Sequence, residues 1–429
     1  MNHDPRSHGL WDASAPAGPD TKALNANLHA DVVVVGAGYT GLSAALHLAQ
    51  RGARVVVLEA QEVGFGGSGR NVGLVNAGMW VMPSVLPGAL GEAMGNRLLT
   101  QLGNAPSLVF ELIERHGMDC EPVRTGTLHC APDATGLRAL QERESQWRAL
   151  GAPVRLLSQA ETVHKTGTDA YLGALLDLRA GTVQPLAYAR GLAHAAAAAG
   201  AQLYTRTAVN AVHDAGRHWR LNTASGGVVN APWVIVATNA YSDAAGPWGA
   251  LQSGLVRLPY FNMATAPLPP AVLKQILPER QGAWDTRQVL TSFRLDRQGR
   301  LVLGSVGALR GGGLSIHRNW GRRALGKLFP QLRGIRFEHE WYGEIGMTAN
   351  ALPRFHQLAR NTVTFCGYNG RGIAPGTVLG RELARLVLGE ITTADLPLPV
   401  TDTRPARLKR AREALFEIGA QIAHFAGAR

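Results

Sequence analysis

The sequence predicts an α/β protein, α+β overall, in which a Rossmann-type domain carries an inserted, mostly antiparallel-sheet domain. The apolar run Asp31–Val35 has the length and continuity of a parallel strand buried on both faces, and it ends in the GxGxxG turn Gly36–Gly41. A helical pattern follows, and a second buried run, Arg54–Leu58, ends at the acid Glu59. Strand-like runs separated by Pro and Gly turns fill residues 246–344 and predict the antiparallel domain.

Composition narrows the class of protein. The 429 residues are enough for two domains sharing a core, and an apolar share of 46% is ordinary for a globular chain. The formal charge of +12 suits an anionic partner, but the arginines are spread along the chain, which disfavours nucleic acid. The three cysteines fit no metal spacing, so we expect no metal site. Without an apolar leader or a run of ~20 apolar residues, a cytoplasmic location is expected.

Each part of the βαβ unit has a task in binding a dinucleotide. Gly36 makes the tight turn, Gly38 lets the backbone approach a pyrophosphate, and Gly41 lets the helix pack closely on the strand. The helix N-terminus offers N–H groups to the phosphates, and Glu59 is placed to accept hydrogen bonds from ribose hydroxyls. The residues predicted to bind the dinucleotide here are Gly36, Gly38, Tyr39, Thr40, Gly41, Glu59 and Ala60.

Two further glycine-rich segments favour FAD over NAD. The loop Gly64–Gly73 carries donors that can wrap a pyrophosphate and the edge of an isoalloxazine, although a plain surface loop is the alternative. The segment Phe365–Ala374 leads from a strand through glycines to a helix, whose N-terminus would stabilise negative charge on a reduced flavin. A glycine turn without a ligand is the alternative there. The predicted FAD-binding residues of the two segments are Gly67, Ser68, Arg70, Asn71, Val72, Gly73 and Leu74, and then Gly370, Arg371, Gly372 and Ile373.

The segments together resemble the D-amino-acid-oxidase-like superfamily of FAD-dependent oxidoreductases, and within it the γ-glutamylputrescine oxidase subgroup. The motifs that carry the resemblance are Leu10–Ala15, Ala30–Ala60, Gly67–Asn71, Val234–Ser242 and Gly367–Gly372. The longer string from Gly67 to Trp80 is most similar to bacterial L-pipecolate oxidases. The resemblance implies that Val209 lies over the adenine and that Asn239 also contacts FAD.

The family implies an FAD-binding domain assembled from several chain segments around an inserted substrate domain. We expect an N-terminal arm at 1–28 and a basic C-terminal helix at 401–429. The FAD-binding domain is expected at 29–83, 151–245 and 345–400, and the substrate domain at 84–150 and 246–344.

Two departures from family patterns matter. Relatives that bind flavin covalently use a cysteine before the last strand, and Glu344–Asn350 has none, so FAD should be noncovalent. Some relatives activate oxygen with a lysine over the flavin, and the matching strand Arg300–Gly304 has none. The electron acceptor is therefore expected to be oxygen or a quinone-type molecule.

The resemblance implies oxidation of a small amine or amino acid to an imine, with hydride transfer to flavin N5. L-Pipecolate or a similar secondary amino acid is the first expectation, and γ-glutamylputrescine or another amine is the alternative. An NAD(P)H-dependent flavin monooxygenase or reductase would require a second nucleotide fingerprint, and the chain has none that fits. A non-catalytic flavin-binding protein is the remaining alternative.

Three residues are candidates for the substrate site. Arg294 could bind a substrate carboxylate through its planar guanidinium, or be a solvated strand arginine. Tyr260 and Trp284 could wall the site, or be simple core aromatics.

The tail from Arg404 to Arg429 is basic and helical, with apolar residues at helical spacing. A helix packed on the protein's own surface is expected, and peripheral membrane contact is the alternative.

Overall fold

The computed structural model describes residues 8–427 and contains a mostly parallel six-stranded sheet. The expected strands Val32–Val35 and Val55–Leu58 lie next to each other in its middle and are buried on both faces. One edge strand pairs antiparallel with its neighbour, and every other pair is parallel. The strand order is Arg354–Ala359, Thr362–Cys366, Trp233–Val236, Val32–Val35, Val55–Leu58 and Gln202–Tyr204.

Three helices cover one face of this sheet: Tyr39–Ala49, Pro185–Ala198 and Ile373–Val387. The first and last pack so closely that a Cβ at Gly380 would lie 2.5 Å from the carbonyl oxygen of Thr40. The last helix begins at Ile373, directly after the glycine turn. Its Pro375 lies in the first turn, where a helix needs no N–H donor.

The other face of the six-stranded sheet packs against a smaller, four-stranded one. Its strands are Asn27–His29, Val228–Ala231, Trp219–Thr223 and Val209–Asp214, in that order. The three-layer arrangement is that of the predicted Rossmann-type domain.

The second architectural unit is an eight-stranded sheet, here called the large sheet. All its pairs are antiparallel except the one between Gly282–Asp285 and Thr127–Ala131. The strand order is Phe337–Met347, Val256–Pro267, Arg300–Val306, Thr291–Leu295, Gly282–Asp285, Thr127–Ala131, Gly173–Asp177 and Val154–Leu157. The longer helices outside the six-stranded sheet are Glu92–Gly103, Ala105–Arg115, Ala134–Ala149, Gly311–Leu328 and Lys409–Ala426.

The large sheet departs from the expected domain division in one segment. Strands Val154–Leu157 and Gly173–Asp177 belong to it, although 151–245 is expected to lie in the FAD-binding domain. The physical reason is pairing: Thr127–Ala131 binds Gly173–Asp177 along its whole length. A short apolar run does not reveal in sequence which sheet it joins.

From residue 8 onward, the N-terminal arm packs against the rest of the chain. Leu10–Ser14 forms a short helix, and Trp11 is fully buried with its ring 5.3 Å from that of Trp341. The Trp11 indole N–H donates to the carbonyl of Asn71, 2.8 Å away. The arm therefore braces the glycine-rich loop.

Within residues 8–427, no helix is long and apolar enough to cross a membrane. The same part of the chain brings together no group of three or more His, Cys, Asp or Glu side chains that could hold a metal ion.

Candidate FAD and substrate site

A cavity of about 1310 Å³, here called the central cavity, runs from the end of strand Val32–Val35 to the large sheet. One end is lined by the glycine turn and Glu59, and the other by side chains of the large sheet. The predicted FAD-binding residues that line it are Gly36, Gly38, Tyr39, Thr40, Glu59, Ala60, Gly67, Ser68, Arg70, Asn71, Val72, Leu74, Val209, Asn239, Gly370, Gly372 and Ile373. Three residues of the predicted set, Gly41, Gly73 and Arg371, do not line it.

The glycines of the first turn occupy places with no room for a side chain. Gly36 has φ +107°, and a Cβ there would lie 2.9 Å from the carbonyl oxygen of Ala237. A Cβ at Gly41 would collide with the carbonyl oxygen of Gly36. Gly41 thus packs the helix on its strand from outside the cavity, the task that the sequence predicts for it.

Glu59 is held by main-chain donors. Its Oε2 accepts from the N–H of Ala37 at 2.7 Å and its Oε1 from that of Gln61 at 3.0 Å. Burial raises the pKa of the carboxyl, and these two hydrogen bonds act in the opposite sense. Two carboxylate oxygens offer about four acceptor positions, so ribose hydroxyls can still bind at the cavity face.

The glycine-rich loop is shaped by Asn71. Its Nδ2 donates to the carbonyls of Gly67 and Ser68 at 3.0 and 2.9 Å, and its Oδ1 accepts from the N–H of Gly73 at 2.8 Å. Gly73 has φ +88°, and a Cβ there would collide with the carbonyl oxygen of Val183, away from the cavity. The Asn71 side chain therefore holds the loop in shape through hydrogen bonds to the main chain of the loop itself. The groups that the loop presents to the cavity are main-chain groups and the Ser68 hydroxyl.

Arg70 is a buried member of the same loop. Its Nε donates to the carbonyl of Phe65 at 2.7 Å and its Nη1 to that of Tyr342 at 3.3 Å. The guanidinium also lies 4.6 Å from the centre of the Phe65 ring. It brings a fixed positive charge to the cavity wall, which would stabilise the negative charge that a bound flavin gains on reduction.

Two helix N-termini open into the cavity side by side. The Thr40 hydroxyl, in the helix that follows Gly38, lies 2.7 Å from the Tyr368 hydroxyl, just before the helix that follows Gly372. First-turn N–H groups have no partner within their own helix, and both ends carry partial positive charge. Asn239 fixes the glycine turn that precedes the second helix, because its Oδ1 accepts from the N–H of Gly367 at 2.9 Å. The arrangement fits a diphosphate at the first helix and an electron-accepting ring at the second.

The predicted carboxylate-binding role of Arg294 is wrong. Its side chain is 1% exposed and does not line the cavity. Nη1 donates to the carbonyl of Val183 and Nε to that of Leu295, while the guanidinium lies 5.5 Å from the centre of the Trp11 ring. Every one of these contacts is structural.

Tyr260 and Trp284, the two aromatic residues predicted to wall the substrate site, both line the cavity. The Tyr260 hydroxyl lies 2.7 Å from that of Ser292, and burial raises its pKa well above the ordinary range, so it stays protonated. The Trp284 ring stacks on His129 at 4.8 Å, and burial with two nearby arginines lowers the pKa of His129, which stays neutral.

Only some of the residues beyond these rings were predicted from the sequence. The guanidinium of Arg371 lies 4.9 Å from the Trp80 ring centre and 5.8 Å from that of Trp284, behind the cavity wall. Arg143, which lines the cavity, donates from Nη2 to the carbonyl of Trp80 at 2.5 Å. Arg143 and His129 were not predicted, since an arginine among the charges of an amphipathic helix gives no sign that it points inward.

The chain matches the family model described as FAD dependent oxidoreductase (DAO) over residues 31–386. It is 33% identical to the γ-glutamylputrescine oxidoreductase of Escherichia coli (strain K12) over 395 residues, which is 90% of each chain. It is 27% identical to the glycine oxidase of Geobacillus kaustophilus (strain HTA426), covering 85% of this chain and 95% of the relative.

Two solved structures show the same fold. The crystal structure of glycine oxidase from Geobacillus kaustophilus aligns with a TM-score of 0.67 at 24% identity, over 85% of this chain and 96% of that one. The structure of L-proline dehydrogenase from P. horikoshii aligns with a TM-score of 0.70 at 19% identity, over 90% and 99%. These alignments confirm the predicted fold class. The family match extends from the first residue of the βαβ unit almost to the end of the helix after Gly372, and the chain belongs to the DAO family of FAD-dependent oxidoreductases, with FAD as its cofactor.

Proposed function

We propose that the protein oxidises the C–N bond of a small amine or amino acid, with γ-glutamylputrescine as the first candidate substrate. The observation that carries the proposal is the extension of the cavity past the dinucleotide end to a wall of Trp80, His129, Tyr260 and Trp284. A substrate held there lies beside the end of the cavity that suits the isoalloxazine. The 33% identical relative is named for γ-glutamylputrescine, and this shared ancestry supports the choice.

FAD held in the cavity would supply the acceptor for a hydride from the carbon next to the amine nitrogen, and water would hydrolyse the imine that results. The chain's own residues bind the amine in its reactive form. Positive charge from Arg143 and Arg371 and the apolar rings of Trp80 and Trp284 both disfavour an ammonium, so they favour the neutral amine that can release hydride. His129 and Tyr260 keep their protonation states in this environment, and neither is required as a base.

L-Pipecolate is the second candidate substrate. The string Gly67–Trp80 carries the resemblance to L-pipecolate oxidases, and its last residue, Trp80, lines the cavity. Trp284 lines the cavity as well, so two indole rings offer flat apolar surfaces to a six-membered ring.

An anaerobic titration of the purified holoenzyme tests the proposal. We expect γ-glutamylputrescine, added without oxygen, to remove the visible absorbance of the oxidised flavin. Reduction by L-pipecolate alone would replace the first candidate with the second. Reduction by NADPH but by no amine or amino acid would overturn the proposal in favour of a monooxygenase or reductase.

We further propose that FAD is held noncovalently and that oxygen or a quinone-type acceptor reoxidises it. Cys120, Cys130 and Cys366 are all buried, and none lines the cavity. No lysine occurs among the cavity-lining residues that the structure describes, which is the observation in favour of a quinone.

We also propose a cytoplasmic enzyme whose helix Lys409–Ala426 contacts a membrane surface, which is the alternative that the sequence leaves open for this helix. Five large apolar side chains around this helix are 55–78% exposed, namely Leu408, Leu415, Ile418, Ile422 and Phe425. Arg404, Arg407 and Arg410 are exposed near its N-terminal end, and their charge complements an anionic lipid surface.

A further inference from the structure

Part of the wall at the substrate end of the central cavity is an irregular stretch of chain, residues 79–84, here called the wall segment. These residues belong to no helix or strand. Trp80 and Met82 of the segment line the cavity. Main-chain groups outside helices and strands need other hydrogen-bond partners, so the support of the segment has to come from side chains or water.

Arg143 supplies a donor to three consecutive carbonyls of the wall segment. It comes from helix Ala134–Ala149, and its Nη2 donates to the carbonyl of Trp80 at 2.5 Å. Its Nη1 makes longer contacts, of 3.4 Å, with the carbonyls of Met79 and Val81. In the part of the chain that the structure describes, Arg143 has no other hydrogen-bond acceptor. The rigid plane of a guanidinium can fix several acceptors at once.

Gln146 holds the end of the same segment. It follows Arg143 by three residues, so both side chains lie on one face of their helix. The Oε1 atom of Gln146 accepts from the N–H of Ser84 at 3.0 Å. Gln146 does not line the cavity, so it can affect a ligand there only through the chain that it holds.

The chain on either side of the wall segment is anchored separately. Before it, Gly78 has φ +67°, and a Cβ there would lie 2.5 Å from the ring of Trp147. After it, a Cβ at Gly95 would lie 2.6 Å from the carbonyl oxygen of Leu86, so the chain packs closely there as well. Between these two anchors, helix Ala134–Ala149 holds the main chain of the wall segment.

We propose that Arg143 and Gln146 are positioning residues, which hold the wall segment so that Trp80 and Met82 contact the apolar part of the substrate. Both candidate substrates present methylene groups to such a wall, and this choice of ligand rests on the proposed function. Apolar contacts of this kind are equally strong in the bound substrate and in the transition state. They therefore contribute to affinity and not to the rate of hydride transfer.

Hydrogen exchange of the oxidised holoenzyme tests the support of the wall segment without any substrate. The amides of Ser84, Val85 and Leu86 donate hydrogen bonds and therefore report opening of the segment. We expect Arg143→Met to accelerate their exchange fivefold or more, because three carbonyls lose their donor. Arg148→Met is the matched control and should change nothing, since Arg148 lies on the same helix with its side chain 68% exposed.

Rapid mixing with γ-glutamylputrescine in the absence of oxygen separates binding from reaction. The concentration dependence of flavin reduction gives the Kd of the substrate and the limiting rate of reduction. Arg143→Met is expected to raise Kd fivefold or more and to leave the limiting rate within twofold. Gln146→Met should raise Kd at least twofold. Arg143→Lys can still donate to a carbonyl and should restore part of the affinity.

N-Acetylputrescine distinguishes a held wall from a direct ionic contact, because it keeps the amine and the amide of γ-glutamylputrescine but lacks the carboxylate. A displaced wall should weaken the binding of both amines alike in Arg143→Met. A loss confined to γ-glutamylputrescine would mean that Arg143 binds the substrate carboxylate itself, and it would overturn the positioning role.

The remaining outcomes separate the positioning role from the reaction. Unchanged exchange of residues 84–86 in Arg143→Met, or an unchanged Kd in both Arg143→Met and Gln146→Met, would overturn the proposal even if amines reduce the flavin. If Arg143→Met fails to retain FAD, Gln146→Met decides the test, since its side chain lies outside the cavity. Faster exchange in an enzyme that no amine reduces would support the held wall and refute the proposed reaction.

Discussion

The position of Arg294 along its strand explains why its side chain lies outside the cavity. Ser292 and Arg294 point to the same face of strand Thr291–Leu295, because strand residues two apart share a face. Two residues advance the chain by about 6.6 Å. Over that distance the surroundings of this face change. Ser292 lines the cavity, whereas Arg294 packs between Trp11 and Val183.

Arg294→Met should therefore destabilise the protein without weakening ligand binding. Loss of the guanidinium leaves the buried carbonyl of Val183 without its donor, which costs about 1–3 kcal/mol. Chemical denaturation of the holoenzyme would measure the loss, and the affinity for the substrate that reduces the flavin in the anaerobic titration should not change. A weakened affinity at full FAD content would return Arg294 to the substrate site.

Residue roles set by backbone geometry were predictable, and roles set by side-chain direction were not. The task of Gly41 follows from its place in the turn, because any Cβ there collides with the chain that precedes it. For Arg143 and Arg294, the sequence context indicates the wrong role. Arg143 lies among charged residues and reaches the cavity, whereas Arg294 lies in an apolar strand and supports the fold.

At the scale of elements, helix Lys409–Ala426 is attached by polar contacts and leaves an apolar face outward. Glu417 pairs with Arg310, Glu413 with Arg257, and the carbonyl of His424 accepts from Arg323. Both Arg310 and Arg257 line the central cavity, so the helix lies along its rim. A membrane contact on the outer face would bring the cavity close to a lipid-soluble acceptor.

Replacing Leu415 and Ile422 by Glu should abolish binding to anionic vesicles, because the apolar face then repels the bilayer electrostatically and loses its apolar area. Co-sedimentation with phosphatidylglycerol vesicles would measure binding, with phosphatidylcholine vesicles as the control. Equal sedimentation of the variant and the unmodified enzyme would contradict membrane contact. A concentration-dependent dimer that the variant loses would assign the face to a second copy of the chain instead.

Acid pH should loosen the same helix. The Nδ1 atoms of His317 and His424 lie 2.8 Å apart, and burial lowers the pKa of both from 6.5. Depressed folded-state pKa values mean that the unfolded or detached state binds protons first, so the stabilisation is present above pH 6.5 and decreases as the pH falls below it.

Hydrogen exchange of residues 409–426 at pH values between 7.5 and 5 would follow this loosening, after correction for the intrinsic exchange rate. His424→Phe keeps a ring against Trp320, whose ring lies 4.1 Å away, and removes one titrating group. The variant should show a weaker pH dependence. The same pH dependence in both proteins would rule out the histidine pair as its source.

At the scale of the molecule, the FAD-binding half was predictable because its signals are local and consecutive in the chain. The buried strand, the turn, the helix and the terminal acid lie within residues 31–59. The two strands that follow each other in the chain also lie next to each other in the sheet. The large sheet has no such order. Its strand Thr127–Ala131 pairs with Gly282–Asp285, more than 150 residues away, and with Gly173–Asp177. Such pairings depend on packing that no short pattern records.

The position of the cavity between the two halves makes FAD a structural element as well as a cofactor. The residues that line it come from most of the chain, from Val35 to Ile373, and they include two helix N-termini whose N–H groups lack partners within their helices. A ligand that binds only the folded state stabilises it by about 2.7 kcal/mol at a hundredfold excess over its Kd. Removal of FAD should therefore lower Tm by several degrees, and added FAD should restore it.

Acid precipitation of the holoenzyme should release the flavin into the supernatant, because none of the three buried cysteines reaches the cavity. The resulting apoprotein, refolded and compared by calorimetry with and without added FAD, supplies the two Tm values. Yellow flavin that stays with the precipitate would show a covalent bond. An apoprotein with the Tm of the holoenzyme would mean that the two halves pack stably without the dinucleotide between them, and that FAD contributes chemistry alone.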